Sequence, residues 1–193
     1  INTKWFWIEH NRFILTIPET FPLIGVWLGL GTASIIKIFS LGHVMYFYII
    51  YLLTRYVLKD RSTGIQLLLL QTLGIASGFF VPVFELYYGA GLLVLFSSLL
   101  VHQPFRGRIL LMAALLFLIL TSHQYTYPLF FFVIASNLLA DKRMAKHEIW
   151  FFVAVFMAIF LFKLFSASTY EQEKTKVVID NLKAAKYGRE YLM

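Results

Sequence analysis

Glu85, His123 and Arg12 are the side chains of this sequence best fitted to do chemistry. Glu85 lies in a short turn after Pro82 and precedes Tyr87, Tyr88 and Gly89. A carboxylate there could act as a base, hold a divalent cation, or bind sugar hydroxyls together with Tyr88. It could equally cap the next helix, whose N-terminus favours negative charge. His123 opens the run His123-Gln124-Tyr125; histidine titrates near neutrality and can donate to a phosphate oxygen or shuttle a proton. A hydrogen-bonding role at an interface is the plainer alternative for His123 and Gln124. Arg12 closes the run Glu9-His10-Asn11-Arg12, and its guanidinium offers a bidentate match to a phosphate, with His10 beside it in a binding role. Trp5, Phe6 and Trp7 in the same stretch also fit a helix anchored in the headgroup plane.

Other chemistries are poorly provided for. There are no cysteines, so disulfides, thiolate metal sites and thiol catalysis are excluded. His10, Glu85 and His123 are scattered and lack the spacing of a ligand pair, so no cofactor is evident beyond a divalent cation on a carboxylate. Phosphate-cradling glycine loops, the His-Glu-x-x-His zinc motif and the nucleophile-elbow serine are missing from the sequence.

The elements that must position these residues are membrane helices. The 193 residues are 60% hydrophobic and 14% charged, against about 45–50% and about 25% in soluble domains. A soluble helical bundle would need polar helix faces, which most of the apolar blocks lack. Six blocks read as clear spans, over 43–58, 64–81, 86–101, 108–122, 125–140 and 148–165. Several are shorter than the roughly 20 residues a bilayer requires, so their tight turns must sit in the interface. Tyr87, Tyr88, Tyr125, Tyr127 and Trp150 suit an aromatic belt at those ends.

Alternate turns differ in charge. Arg55, Lys59 and Arg61, then Arg106 and Arg108, then Lys142, Arg143 and Lys146 load every second turn, while the turns at 82–85 and 122–125 carry no basic residue. Basic residues resist translocation, so the loaded turns should be cytoplasmic and the bare turns outside. The same placement accounts for the net charge of +7 without invoking nucleic acid, and anionic lipid headgroups are the natural partners.

The chain divides into 1–40, 41–166 and 167–193. Within the first part, the apolar 21–39 stretch carries Pro22, Gly25, Gly29, Gly31 and Lys37, and is either a seventh span or a broken interfacial helix. The last part has capping-box spacing at Ser168 and Glu171 and reads as an amphipathic helix on the outer side. Lys37 and Lys163 look like snorkelling stems rather than site residues. Asn2 to Trp7 read like the middle of something, so the chain is expected to be a portion of a longer protein.

Three stretches together resemble the C-type (GT-C) membrane glycosyltransferases of bacteria. The first is NRFILTIPETFPLIGVWLGLGTASIIKIFSLGHVMYFYIIYLL, with an arginine and a proline-led apolar stretch before a membrane helix. The others are FFVPVFELYYGAGLLVLFSSLL, with a glutamate in a short outer turn, and TSHQYTYPLFFFVI, with a histidine at the next outer corner. The resemblance spans residues 11 to 166. It implies an inner-membrane enzyme acting on a polyprenyl-phosphate-linked sugar at the outer leaflet. Arg12, Glu85 and His123 are the residues it carries over; the acidic residue usual in the first outer loop of that family has no counterpart here. The alternative expectation is a non-enzymatic membrane subunit or scaffold whose apolar helices pack against other subunits. Helix interiors free of ionisable residues favour that alternative.

Overall fold

Each described helix is built from an apolar block, and each break falls where backbone chemistry changes. The computed structural model describes residues 6, 12–78, 85–101, 106–123, 125–139, 146–166, 172–173, 176–177 and 180. Most of these residues are helical. A 3-10 turn, Phe13–Leu15, leads into α1 (Thr16–Trp27) and α2 (Thr32–Leu52), which runs on through a π-helical turn, Leu53–Val57. Then follow α3 (Arg61–Gly78), α4 (Glu85–Val101), α5 (Arg108–Ser122), α6 (Thr126–Leu139) and α7 (Lys146–Phe165).

The expected first span, beginning at residue 43, is corrected: α2 starts eleven residues earlier, at Thr32, and His43 lies in its middle. The 21–39 stretch is broken, but its break falls at residues 28–31. The glycines explain it. Gly29 takes a positive φ of 68°, the Gly29 N–H donates to Val26 O at 3.1 Å, and the Leu30 N–H donates to Gly25 O at 3.0 Å. That pair of bonds closes α1 in a Schellman motif, which favours glycine at the left-handed position. The chain then turns back, and Gly31 precedes the first residue of α2. The two helices form an antiparallel hairpin at close range. A Cβ on Gly42 would land on the Phe21 ring, and one on Gly25 would lie 3.1 Å from Ile35.

The six-span expectation is also reduced. Two helices are long and apolar enough to cross a membrane by length and composition, Thr32–Val57 and Glu148–Phe165. The apolar helices Phe13–Trp27, Glu85–Val101, Arg108–Ser122 and Thr126–Leu139 are shorter. Only 28% and 22% of the two long apolar windows are buried, so neither is the core helix of the fold. That place belongs to α4, where Tyr88, Leu92, Leu93, Phe96, Leu99 and Leu100 bury the helix on nearly all sides. It packs against α5, whose Met112, Leu116, Ile119 and Leu120 are buried. Phe152 and Phe156 of α7 complete the core against Phe96 and Phe130. Several buried polar side chains bond their own helix backbone, as Thr121 does to Phe117 O at 2.7 Å and Asn137 to Val133 O at 2.8 Å. Such bonds satisfy these groups without solvent.

Two ends of the bundle result. At one, the Asp60 carboxylate accepts from the Thr63 amide (3.0 Å), the Thr63 hydroxyl (2.6 Å) and the Ser98 hydroxyl (2.8 Å), capping α3 and tying it to α4. There too, buried Arg108 of α5 pairs with buried Glu148 of α7. The first residue of α4 and the last residues of α5 and α7 lie at the other end. The α1–α2 hairpin continues past that second end. Because His43 is level with Tyr88, the first two turns of α2 stand beyond Glu85. The expected tail helix lies mostly outside the described residues, and the described positions 172–173, 176–177 and 180 are helical.

Candidate functional site

Arg12 is held in place by its neighbours in sequence. Ile14 and Leu15 of the 3-10 turn are buried, and the Phe13 ring packs 5.1 Å from Phe117 of α5 and 6.4 Å from Phe162 of α7. This anchors the segment across the ends of α5 and α7. Arg12 then reaches α4: its Nη1 donates to Glu85 Oε1 at 2.7 Å, with side-chain exposures of 20% and 15%. Glu85 is the first residue of α4, where the helix dipole favours its negative charge. A first-turn position and an ion pair therefore coexist in one residue.

His123 ends α5 with an extended backbone, φ −152° and ψ 149°. The corner into α6 is built around it. Its carbonyl accepts from the Thr126 amide (3.0 Å) and hydroxyl (2.6 Å), and its Nδ1 accepts from the Tyr125 amide at 3.2 Å. An acceptor role at Nδ1 assigns the proton of the neutral ring to Nε2. The ring is half-buried, and burial lowers its pKa below the ordinary value. Arg12 lowers it further, Glu85 opposes, and Lys163 adds to the lowering. His123 is thus within electrostatic reach of both members of the ion pair and of a fourth group, Lys163 in the last turn of α7.

Four ionisable side chains from four separate segments lie at this end: two cations, one carboxylate and one imidazole. Arg12, Glu85 and His123 were expected from the sequence. Lys163 was read as a snorkelling stem; its place in the last turn of the final apolar block, on the side of the bare turns, was the available signal.

Tyr88 is elsewhere. Its side chain is fully buried between α2 and α4, its hydroxyl shares a 2.6 Å hydrogen bond with His43 Nδ1, and its carbonyl accepts from the Tyr46 hydroxyl at 2.8 Å. His43 therefore joins Tyr88 in an aromatic layer with Phe47, one turn below Glu85. Gly89 beside it marks a close approach: a Cβ there would land on Ser122 Oγ and lie 3.2 Å from Thr126 Cγ2. His10 and Gln124 lie outside the described residues. Among the described residues no three histidine, aspartate or glutamate side chains group as metal ligands.

No protein-family model matches the chain, and no curated protein or solved structure matches it significantly.

Proposed function

We propose that this chain is a polytopic membrane protein, or a portion of one, that handles a polyprenyl-phosphate-linked sugar at the outer leaflet in the manner of the C-type membrane glycosyltransferases. The convergence of Arg12, Glu85, His123 and Lys163 carries the reading. In this reading the short helices α4, α5 and α6 cross with their turn residues in the interface. The basic turns face the cytoplasm of a bacterial inner membrane, and the cluster faces outward.

The chemistry follows from the groups. Arg12 and Lys163 neutralise the phosphate oxygens of the donor, and the Nε2–H of His123 donates to one of them as negative charge builds on the leaving group. Glu85 takes the proton of an acceptor hydroxyl as it attacks the sugar. In the resting arrangement Arg12 occupies Glu85 Oε1, so donor phosphate and Glu85 compete for the same guanidinium. A donor that draws Arg12 away frees the carboxylate for the acceptor.

The test is glycan transfer by Glu85→Gln, His123→Gln and Arg12→Gln, each checked for intact folding. Transfer should fall in each. Unimpaired transfer in all three folded variants would sink the assignment.

The Arg12–Glu85 pair also favours a second reading. Two charges that satisfy each other form a clasp between the N-terminal segment and α4, as a scaffold subunit requires. Purification in mild detergent separates the readings: a stoichiometric protein partner supports the scaffold, and co-purifying polyprenyl-phosphate lipid supports the transferase.

A further inference from the structure

The end of the bundle opposite the cluster carries a second polar surface, formed where α2 passes through its π-helical turn. Tyr48 and Tyr51 stack at 6.3 Å with planes 24° apart, and Tyr51 meets Tyr56 edge-on at 6.4 Å. Tyr56 follows Tyr51 by five positions, a spacing that an α-helix would place on different faces. The π turn, marked by the Leu58 N–H bond to Leu53 O at 2.9 Å, adds the residue needed to bring Tyr56 under Tyr51. The three phenols thus form one ladder, with Tyr48 52% and Tyr56 64% exposed.

One cation touches the ladder and two more follow it in sequence. The Arg55 guanidinium carbon lies 5.7 Å from the centre of the Tyr56 ring, and the Arg55 stem rests against Gly64 of α3, with no side chain between. Lys59 is exposed and holds a left-handed φ of 56°; Arg61, the first residue of α3, is exposed as well. The one carboxylate in this stretch of chain, Asp60, is turned to Thr63 and Ser98. The next basic turn differs, since Arg108 is buried against Glu148 and leaves Arg106 as its exposed cation.

We propose that Arg55, Lys59 and Arg61, with the Tyr48, Tyr51 and Tyr56 ladder, form a docking surface for the headgroup of an anionic phospholipid. Charge complementarity selects the phosphate, the guanidinium of Arg55 is planar and offers paired N–H donors to it, and the exposed phenols lie where a polar tip meets acyl chains. The inference rests on the embedding of α2 in a membrane and is independent of the cluster at the other end.

The full chain in detergent is given equal amounts of palmitoyl-oleoyl phosphatidylglycerol and phosphatidylcholine, and retained lipid is read by native mass spectrometry. Phosphatidylglycerol should be retained preferentially. Arg55→Gln, Lys59→Gln and Arg61→Gln should each weaken that preference about five-fold, and Arg106→Gln should leave it unchanged. Soluble glycerol phosphate should not compete; full competition would assign a free phosphate ligand and overturn the proposal. Equal retention of the two lipids, or an equal loss in Arg106→Gln, would also overturn it. Carbonate extraction of native membranes separates the premises: release of the chain defeats the membrane reading, whereas firm retention with no lipid preference defeats this inference alone.

Discussion

Glu85→Gln keeps the shape of the side chain and removes its charge, which isolates what the ion pair with Arg12 contributes. The two side chains retain 20% and 15% exposure. Exposed pairs contribute about 0.2–1 kcal/mol, whereas breaking a fully buried pair costs about 3–5 kcal/mol. A nearly buried pair at the rim falls between, at about 1–2 kcal/mol. In a chain of this size 1 kcal/mol shifts the melting temperature by about 2–4 °C, so Glu85→Gln should melt about 2–8 °C lower. A cycle with Arg12→Gln and the double variant, melted in one detergent, measures the coupling itself. His123 supplies an independent reading, because the two partners act on it with opposite sign. Glu85→Gln should lower the His123 pKa further, and Arg12→Gln should raise it, as followed by NMR titration of the ring. Strict additivity in the cycle, or displacement of His123 in one direction by both variants, would refute the described cluster.

Further outcomes follow from the same contacts. Gly89→Ala forces a methyl against Ser122 Oγ, which is already committed to Ile119 O at 2.6 Å, and overpacking of this kind should cost about 1–3 kcal/mol in thermal unfolding. Arg108→Met alone strands the buried Glu148 and should cost about 3–5 kcal/mol, while Arg108→Met with Glu148→Leu should recover most of that loss; equal losses would refute the pairing. Because burial lowers the His123 pKa, the unfolded chain takes up that proton first as pH falls. Stability should therefore decline as pH drops below about 6.5 and level off once the folded imidazole has titrated; His123→Gln should flatten that part of the profile.

How much of this was legible depended on where information is local. The blocks read as 86–101, 108–122 and 125–140 match α4, α5 and α6 to within a residue, because Pro, Gly and charged residues punctuate uninterrupted apolar runs. The start of α2 was missed for the same reason. Thr32, Ser34, Lys37, Ser40 and Gly42 look like interruptions in sequence, yet all lie within the helix; the true break is set by the left-handed Gly29. Arg12 and Glu85 stand 73 residues apart, and no spacing rule joins them. Their residue types suggested chemistry, but their contact depends on Phe13 packing against α5 and α7. Tyr88 looked like a companion of Glu85 because they are close in sequence. One turn deeper in the bundle, its hydroxyl meets His43 of α2 instead.

On the membrane reading proposed above, the α1–α2 hairpin would have a consequence for the depth of the surrounding bilayer. From Glu85 to Ser98, the polar levels at the two ends of α4, the rise is about 20 Å, while a hydrocarbon core is about 30 Å thick. Thinning lipid by the missing 10 Å or so, at fractions of a kcal/mol per Å, would cost several kcal/mol. The hairpin removes that need on its own flank, since it rises to about 12 Å beyond Glu85 and exposes Trp27, Leu28 and Ile36 along that height. In a bilayer of ordinary thickness, lipid would wet this fin at full height and the charged groups at its foot would be sunk beneath the headgroups. Hydrophobic mismatch would then turn the cluster into a recess entered sideways. A molecule with its own acyl or prenyl tail would reach it more readily than a water-soluble one.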